Sequence, residues 1–546
     1  MMKNLILLCL LWLPCNLLAQ LGDEVTFMDH FIPKQAVVTD YRYKDTIPSA
    51  CGLVRLENGK VVFMTRQSGK MAPFYIKAIE TGYWDTRYEK DTDYRSVFAD
   101  MASMGANVAY VMVHWEEIEP KDNVFDFTFT DRLVEMAKEK GMKINWILFL
   151  HAQHNGVPSP DCTTAWTFHL DDRDSCNYTM QWPMQNGIIY KDIKTLVDKG
   201  GIRPLHVYGH KAIFYRIKRM LRQLALHYKN SDTVIGVQLG NEEGFSFLDE
   251  SDYNPVTKAL YEEWKLKTNK TDYAQFKKEA MNWWWKQFTS AFHEVDPYKI
   301  LSTNLDAGQA EAGDEKRIDM TGTSASFYKD GNLDVIGTMF YKGYGYQAIK
   351  GLDKRYNEGS YNYELPILIP SEIGIGRFNE NKDFNSFVMH TLERAAQGLG
   401  VYCYGEVRKE YPDSLLARKT LSEMFANIKC NEDIIFSGLP GPGNVTCLVS
   451  QADLQVSHLN VNHEATLAMI YRPAFDEKPV EIPETSTTSF KLSLKANLNG
   501  NYRIKVYQSG KLLDEKSMHL TQDKVVSVEL DDLDDGVPVF VNIKRD

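Results

Sequence analysis

The sequence predicts an α/β fold, a (β/α)8 TIM barrel followed by a C-terminal all-β sandwich. Eight short apolar runs alternate with helix-like segments over residues 71–431, and parallel strands need such helical crossovers. After about residue 431 the pattern changes to alternating apolar and polar residues, with turn-rich stretches such as NLNGN and QSGK. The 546 residues are enough for one large barrel and an appended domain.

The first three predicted strands lie early in the barrel region. They are PFYIKAIE at 73–80, ANVAYVMVHW at 106–115 and KINWILFL at 143–150. Between the second and third strands, DRLVEMAKEKG places its apolar side chains on one face of a helix that ends at Gly141. The segment 151–205 is long and irregular, rich in Asp, Pro, Asn and Trp. We expect this segment to shape the cleft, because it follows the end of a strand.

A strongly amphipathic helix begins the second half of the barrel. Its apolar stripe consists of Ile213, Ile217, Met220, Leu221 and Leu224. It precedes the fourth strand, TVIGVQL. The remaining strands are KILSTNL at 299–305, VIGTMFY at 335–341, PILIPSE at 366–372 and GVYCYGE at 400–406. Eight buried strands predict a closed barrel, which leaves no exposed sheet edge.

The N-terminus predicts export. Lys3 is followed by an apolar run over 5–13 and then by the small residue Ala19, the pattern of a secretory signal peptide over residues 1–19. The run is too short to span a bilayer. We therefore expect a secreted protein, periplasmic or extracellular, with no membrane span. Residues 20–70 are predicted to form a leading β segment.

The barrel is predicted over 71–431 and the β-sandwich over 455–546. The net charge of −11 is spread without a basic block, which argues against a nucleic-acid partner. The chain has no Cys-x-x-Cys motif, so a zinc or redox role for its cysteines is not predicted. In an exported protein Cys162 and Cys176 could close a short loop. The oligomeric state is not determined by these patterns.

Acidic residues stand at the ends of two predicted strands. The stretch GVQLGNEEGF carries a buried strand directly to Asn241 and Glu242, and LIPSEIGIG carries another to Glu372. Barrel enzymes place their site at the carboxyl ends of the strands. Two carboxylates from different strands are what a glycosidase needs, one to donate a proton and one to attack or to activate water.

Other polar and aromatic residues end the neighbouring strands. His114 and Trp115 follow the second strand, His151 the third, Tyr341 the sixth and Glu406 the eighth. We expect all of them to contact substrate, although Trp115 has an alternative place in the core. For Glu406 the alternative is a hydrogen bond to the barrel rim. His151 and His154 lack a third ligand, so no metal site is predicted.

Several of these motifs resemble those of a known enzyme group. VQLGNEEGF and ILIPSEIG are similar to the acid/base and nucleophile strands of glycoside hydrolase clan A, the retaining (β/α)8 group. VHWEEIEPKDNVFDFTFTDRLVEMAKEKGM resembles the second-strand signature of its β-galactosidase families 35 and 42. The resemblance covers roughly residues 70–410. It implies that Glu242 is the general acid/base and Glu372 the nucleophile.

The resemblance also implies roles for two neighbours and a function. Asn241 would hydrogen-bond the sugar 2-hydroxyl and Tyr341 would orient Glu372. Met339 stands where a related enzyme group has His. The expected activity is hydrolysis of β-linked glycans without a cofactor, with a β-galactoside as the best substrate. β-Mannosides, β-glucosides and modified polysaccharides stay open, as does a non-catalytic glycan-binding protein on a degenerate barrel.

Overall fold

The computed structural model describes most of the barrel and most of the C-terminal strands. The described residues are 33–81, 93–150, 184–185, 188–189, 211–241, 244, 255–305, 313–341, 345–357, 362–375, 381–409, 414–462, 464–473, 487–534 and 536–546. The predicted signal peptide, Glu242, His151 and the proposed Cys162–Cys176 loop lie outside these residues.

Eight parallel strands form a closed ring, as the sequence predicts. In chain order they are β1 (Ile76–Thr81), β2 (Val108–His114), β3 (Lys143–Phe149), β4 (Val234–Leu239), β5 (Ile300–Ser302 and Asn304–Leu305), β6 (Val335–Phe340), β7 (Ile367–Leu368 and Glu372–Gly374) and β8 (Gly398–Tyr402). Each pairs in parallel with the next, and β8 pairs with β1 to close the barrel. The TIM-barrel prediction is therefore confirmed.

Helices surround the ring and supply the crossovers. The longer ones are Tyr94–Ser103, Thr128–Glu139, Lys211–Tyr228, Pro255–Thr268, Tyr273–His293, Glu315–Thr321, Gly345–Asn357, Asn381–Leu392 and Leu415–Cys430. The predicted stripe residues Ile217, Met220, Leu221 and Leu224 are buried in the main core. Within the described residues, no helix is long and apolar enough to cross a membrane.

The predicted eighth strand is too long at its carboxyl end. β8 ends at Tyr402, and Tyr404–Glu406 form a 3₁₀ turn instead. The hydroxyl of Tyr404 donates to Oδ2 of Asp100 at 3.2 Å, in a helix outside the ring. Arg418 also donates to both oxygens of Asp100, each at 2.8 Å. With this outward contact, the strand ends four residues before the predicted end at Glu406.

A small sheet closes the amino-terminal end of the barrel. Its strands are Val38–Asp40, Cys51–Arg55, Val61–Gln67 and Lys70–Pro73. Cys51, Leu53, Val61 and Phe63 pack with the lower lumen side chains of the barrel strands, including Ile76. Burial in this apolar layer raises the pKa of the Cys51 thiol to about 12. The lumen is therefore sealed at one end, which leaves its carboxyl-terminal mouth for a site.

The C-terminal part is a sandwich of two antiparallel sheets. One sheet contains Leu439–Pro440, Gln455–Val461, Ala465–Tyr471, Val539–Arg545, Gly500–Gln508 and Lys511–Leu520. The other contains Val445–Val449, Thr487–Ala496 and Val525–Asp534. Side chains from both sheets, such as Leu494 and Val506, form one core. Two of the strands precede residue 455, because the short runs after Phe436 pair with sandwich strands.

A buried polar cluster joins the sandwich to the barrel. Glu393, just after a barrel helix, accepts hydrogen bonds from His390 at 2.7 Å and Arg394 at 2.5 Å. From the sandwich, the hydroxyl of Tyr471 donates to Glu393 at 3.2 Å and Ser457 donates to the same oxygen. Burial opposes ionisation, but the hydrogen bond from His390 and the charge of Arg394 outweigh it and lower the pKa of Glu393 to about 2.

We expect the Glu393→Gln substitution to destabilise the protein near neutral pH and to flatten its acid sensitivity. A carboxyl group with a depressed native pKa contributes stability above its unfolded pKa, and that contribution is lost as the pH falls towards about 2. The shift is worth on the order of 3 kcal/mol. Urea unfolding between about pH 3 and pH 7 measures it, with the exposed Glu515→Gln as control. Identical pH slopes for wild type and Glu393→Gln would contradict this role.

Candidate active site

The lumen of the barrel changes from apolar to polar towards its open end. Along a strand, alternate residues face the same side. On β1 the lumen residues Ile76 and Ala78 are followed by Glu80, and on β2 the lumen residue Met112 is followed by His114. Glu80 is 1% exposed and His114 is 2% exposed. The sealed apolar layer thus supports a layer of buried polar side chains at the carboxyl ends of the strands.

Glu372 stands in this polar layer, on the second segment of β7. The preceding residue, Ser371, donates its backbone N–H to the carbonyl of Thr338 at 3.0 Å and its hydroxyl to the carbonyl of Gly337 at 2.7 Å. These bonds attach β7 to β6 immediately before the carboxylate. The Glu372 residue is 6% exposed, so little of it faces open solvent.

Two side chains donate hydrogen bonds to the Glu372 carboxylate. Nδ2 of Asn304 lies 2.6 Å from Oε1, and the hydroxyl of Tyr341 bonds Oε2. Burial, and then the negative charge of Glu372, raise the pKa of Tyr341 well above its ordinary value. Tyr341 therefore keeps its proton and acts as the donor. Each carboxylate oxygen accepts a hydrogen bond, Oε1 from the end of β5 and Oε2 from the end of β6, and these contacts orient the group.

Asn241 joins the same network from β4. Gly240 has a φ of 76°, a left-handed conformation that turns the chain at the end of the strand. The hydroxyl of Thr303 donates to the carbonyl of Leu239 at 2.7 Å and holds this turn against β5. Oδ1 of Asn241 then accepts a hydrogen bond from Nδ2 of Asn304 at 2.7 Å. The turn therefore brings Asn241 beside the residue that also contacts Glu372.

The remaining predicted site residues divide between two places. His114 lies in the lumen layer, at the end of β2. Trp115 is 1% exposed and belongs to the main core, and its indole N–H donates to Oε2 of Glu119 at 2.8 Å. Its enclosed ring agrees with the core alternative for Trp115 and not with stacking on a sugar. Glu406 is half-buried in the 3₁₀ turn that follows β8.

Two polar residues of the layer were not selected from the sequence. Asn304 is the last polar residue of the run KILSTNL and Glu80 ends PFYIKAIE, so each carries a strand-end signal similar to that of Asn241 and Glu372. Neither residue lies in a motif of the resemblance, and a strand-end position alone does not distinguish a site residue. Among the described residues, no group of three or more His, Cys, Asp or Glu side chains could hold a metal ion.

Comparison with protein families gives a partial match. Residues 84–148 and 185–312 match the model of glycoside hydrolase family 42, beta-galactosidase. The match includes β2, most of β3, β4 and β5, and ends before β6. A search of curated protein sequences returns no match.

Solved structures share the fold at low identity. A β-galactosidase from Bacillus circulans sp. alkalophilus has a TM-score of 0.50 at 12% identity, covering 67% of this chain and 57% of that one. A family 39 glycoside hydrolase from Bacteroides cellulosilyticus WH2 has a TM-score of 0.46 at 12% identity, covering 89% of this chain and 87% of that one. The chain thus spans little more than half of the β-galactosidase. The family match and the shared barrel confirm the resemblance: the chain is similar to clan A glycoside hydrolases of the β-galactosidase type, at low sequence identity.

Proposed function

We propose that the protein is an exported retaining glycoside hydrolase that cleaves β-linked glycans by double displacement. Glu372 attacks the anomeric carbon while Glu242 donates a proton to the leaving oxygen. Water then hydrolyses the glycosyl-enzyme with Glu242 as the base. In this mechanism two glutamates complete the reaction, and no cofactor takes part.

One observation carries the proposal. The Glu372 carboxylate stands at the open end of a sealed barrel and accepts hydrogen bonds from Asn304 and Tyr341. A nucleophilic carboxylate must be ionised and held in one orientation, and donors on both oxygens supply both conditions. Asn241 lies within the same network, directly before Glu242 in the chain. A retaining mechanism requires the two carboxyl groups to lie about 5–5.5 Å apart.

The favoured substrate is a β-galactoside. The partial match to the beta-galactosidase family supports this sugar, and the matched residues include the second-strand signature around Glu119. β-Mannosides and β-glucosides are the alternatives within clan A. The predicted signal peptide at 1–19 supports export to the periplasm or the medium.

Hydrolysis of a panel of 4-nitrophenyl β-glycosides and natural oligosaccharides tests the proposal. The panel contains the galactoside, glucoside and mannoside, and compares wild type with Glu242→Gln and Glu372→Gln. We expect one sugar to be hydrolysed by wild type and Glu372→Gln to lower kcat/KM by about a thousandfold or more on every substrate. Glu242→Gln should lower kcat on the aryl glycoside and should lower kcat/KM most on the natural oligosaccharides, whose leaving oxygens need a proton.

Two results would overturn this assignment. Hydrolysis that survives both substitutions would place the chemistry elsewhere in the molecule. Binding of oligosaccharides by wild type without turnover of any of them would favour the non-catalytic glycan-binding alternative. Asn145→Ala provides the matched control, because Asn145 is a buried amide on β3 whose side chain contacts the carbonyl of Trp146.

A further inference from the structure

The side-chain amide of Asn304 lies between the two halves of the site. Its Nδ2 is 2.6 Å from Oε1 of Glu372 on β7 and 2.7 Å from Oδ1 of Asn241 at the end of β4. The sulfur of Met339 lies 3.4 Å from the same nitrogen. Asn304 is fully buried on β5, so its side chain cannot turn out to solvent. One amide group thus contacts both the proposed nucleophile and the residue before the proposed acid.

The charge of Glu372 determines which way this amide faces. An ionised carboxylate only accepts hydrogen bonds, so the atom of Asn304 that faces it must be the nitrogen. That nitrogen carries two hydrogens, and the second is directed to Asn241. Asn241 must then present its oxygen to Asn304, because a nitrogen there would place two donors together. The amide nitrogen of Asn241 is consequently on the other side of its planar group, where it can donate.

We propose that Asn304 is a positioning residue that couples Glu372 to Asn241. It orients the nucleophile directly and, through the same amide, makes Asn241 a donor rather than an acceptor towards the sugar 2-hydroxyl. This inference rests on the proposed function. It assigns to β5 a role in the reaction that none of the sequence motifs indicates.

Met339 explains why the amide is needed here. It pairs with Glu372 in the register of β6 and β7, so it occupies the position beside Glu372 on the neighbouring strand. A thioether is only a weak acceptor and has no hydrogen to donate. The strong donor on this side of Glu372 is supplied instead by Asn304, whose nitrogen packs against the Met339 sulfur.

The first test detects the contact between Asn304 and Glu372 through the melting temperature of the protein and does not depend on an activity assay. Asn304→Asp is nearly isosteric but places a carboxylate against Glu372, and two adjacent carboxylates raise the pKa of one of them. The native state then binds a proton more tightly than the unfolded state, so stability is lost as the pH rises and recovered as it falls. We expect the melting temperature of Asn304→Asp to drop by several degrees near pH 7 and to recover near pH 4.

A double variant that combines Asn304→Asp with Glu372→Gln measures the interaction between these two positions. In a Glu372→Gln background the repulsion is absent and only the burial of the new carboxylate remains, so Asn304→Asp should add a clearly smaller pH-dependent loss of stability. Asn145→Asp is the matched control, since it introduces a carboxylate into a lower layer of the same lumen. An equal pH-dependent loss with and without the Glu372 carboxylate would overturn the coupling.

The second test measures the effect on the sugar. Asn304→Ala is compared with wild type on 4-nitrophenyl β-galactoside and on its 2-deoxy form. If the substrate panel shows that another sugar is hydrolysed, the 2-hydroxy and 2-deoxy glycosides of that sugar are used. For each substrate, kcat/KM of the variant is divided by that of wild type, so the different intrinsic reactivities of the two substrates do not affect the comparison. We expect a loss of about a hundredfold on the 2-hydroxy substrate and a loss at least several-fold smaller on the 2-deoxy substrate.

The outcomes separate this inference from the proposed function. If Glu372→Gln abolishes hydrolysis but Asn304→Ala slows both substrates equally, the function stands and the coupling is wrong. If wild type hydrolyses nothing, the proposed function fails, and the melting series still decides whether Asn304 and Glu372 interact. If Asn304→Ala does not fold, Asn304→Ser is used in its place, because serine is small and also lacks the side-chain amide.

Discussion

Replacing Glu372 with Gly is expected to lower kcat/KM by about a thousandfold or more and to allow rescue by azide. The substitution removes the oxygen proposed to attack and leaves a space for a small anion. Asn304 and Tyr341 remain as donors around that space. With an activated aryl glycoside, azide attacks the anomeric carbon from the face opposite the leaving group. The product should be a glycosyl azide of inverted configuration.

Azide also distinguishes the proposed roles of Glu372 and Glu242. With Glu242→Ala the proposed covalent intermediate should still form from an activated aryl glycoside, so azide should attack it from the opposite face and give a product of retained configuration. Product configuration is measured by proton NMR. Glu80→Gly is a suitable control, because Glu80 is a buried lumen carboxylate to which the mechanism assigns no attack. Azide products of the same configuration from both Glu372→Gly and Glu242→Ala would rule out the proposed division of roles.

Gly400→Ala is expected to damage both stability and activity. A Cβ atom at Gly400 would lie 2.2 Å from the carbonyl oxygen of Ser371 and 2.9 Å from Cε2 of Tyr110. The carbonyl belongs to the backbone just before Glu372 and cannot move without moving the carboxylate. Overpacking of this kind costs roughly 1–3 kcal/mol. We expect a lower unfolding midpoint and at least a tenfold loss of kcat/KM, measured by urea titration and aryl glycoside hydrolysis.

A second glycine provides the comparison. At Gly52, in the sheet that closes the barrel, the nearest atoms to an added Cβ are methyl carbons of Ile47, at 3.2 and 3.3 Å. The Ile47 side chain can move to make room for the new Cβ, whereas the backbone carbonyl of β7 cannot. Gly52→Ala should therefore lower the free energy of unfolding less than Gly400→Ala and should leave the site in place. If Gly52→Ala lowers activity as much as Gly400→Ala, close packing behind Glu372 is not what limits the reaction.

The eight strands and the C-terminal sandwich could be predicted because each depends on a local pattern. Buried parallel strands appear as short apolar runs, and sandwich strands show period-2 alternation. Glu372 and Asn241 could be selected because they end such runs. Strand ends were less accurate, as the case of Tyr404 illustrates: its hydroxyl contacts Asp100, which lies 304 residues away in the chain. No local pattern contains that contact.

By itself, the sequence determined the barrel, the sandwich and the strand ends at which a glycosidase site would lie. Only the tertiary structure decided which side chains meet there. Trp115 and His114 are neighbours in the chain, yet the first is enclosed in the core and the second ends a lumen face. In the sequence Asn304 is an ordinary polar residue. Closure of the barrel places it in contact with Asn241 at the end of β4 and with Glu372 on β7. The physical reason is that strand pattern is set by near neighbours, whereas hydrogen-bond partners are set by the closure of the whole barrel.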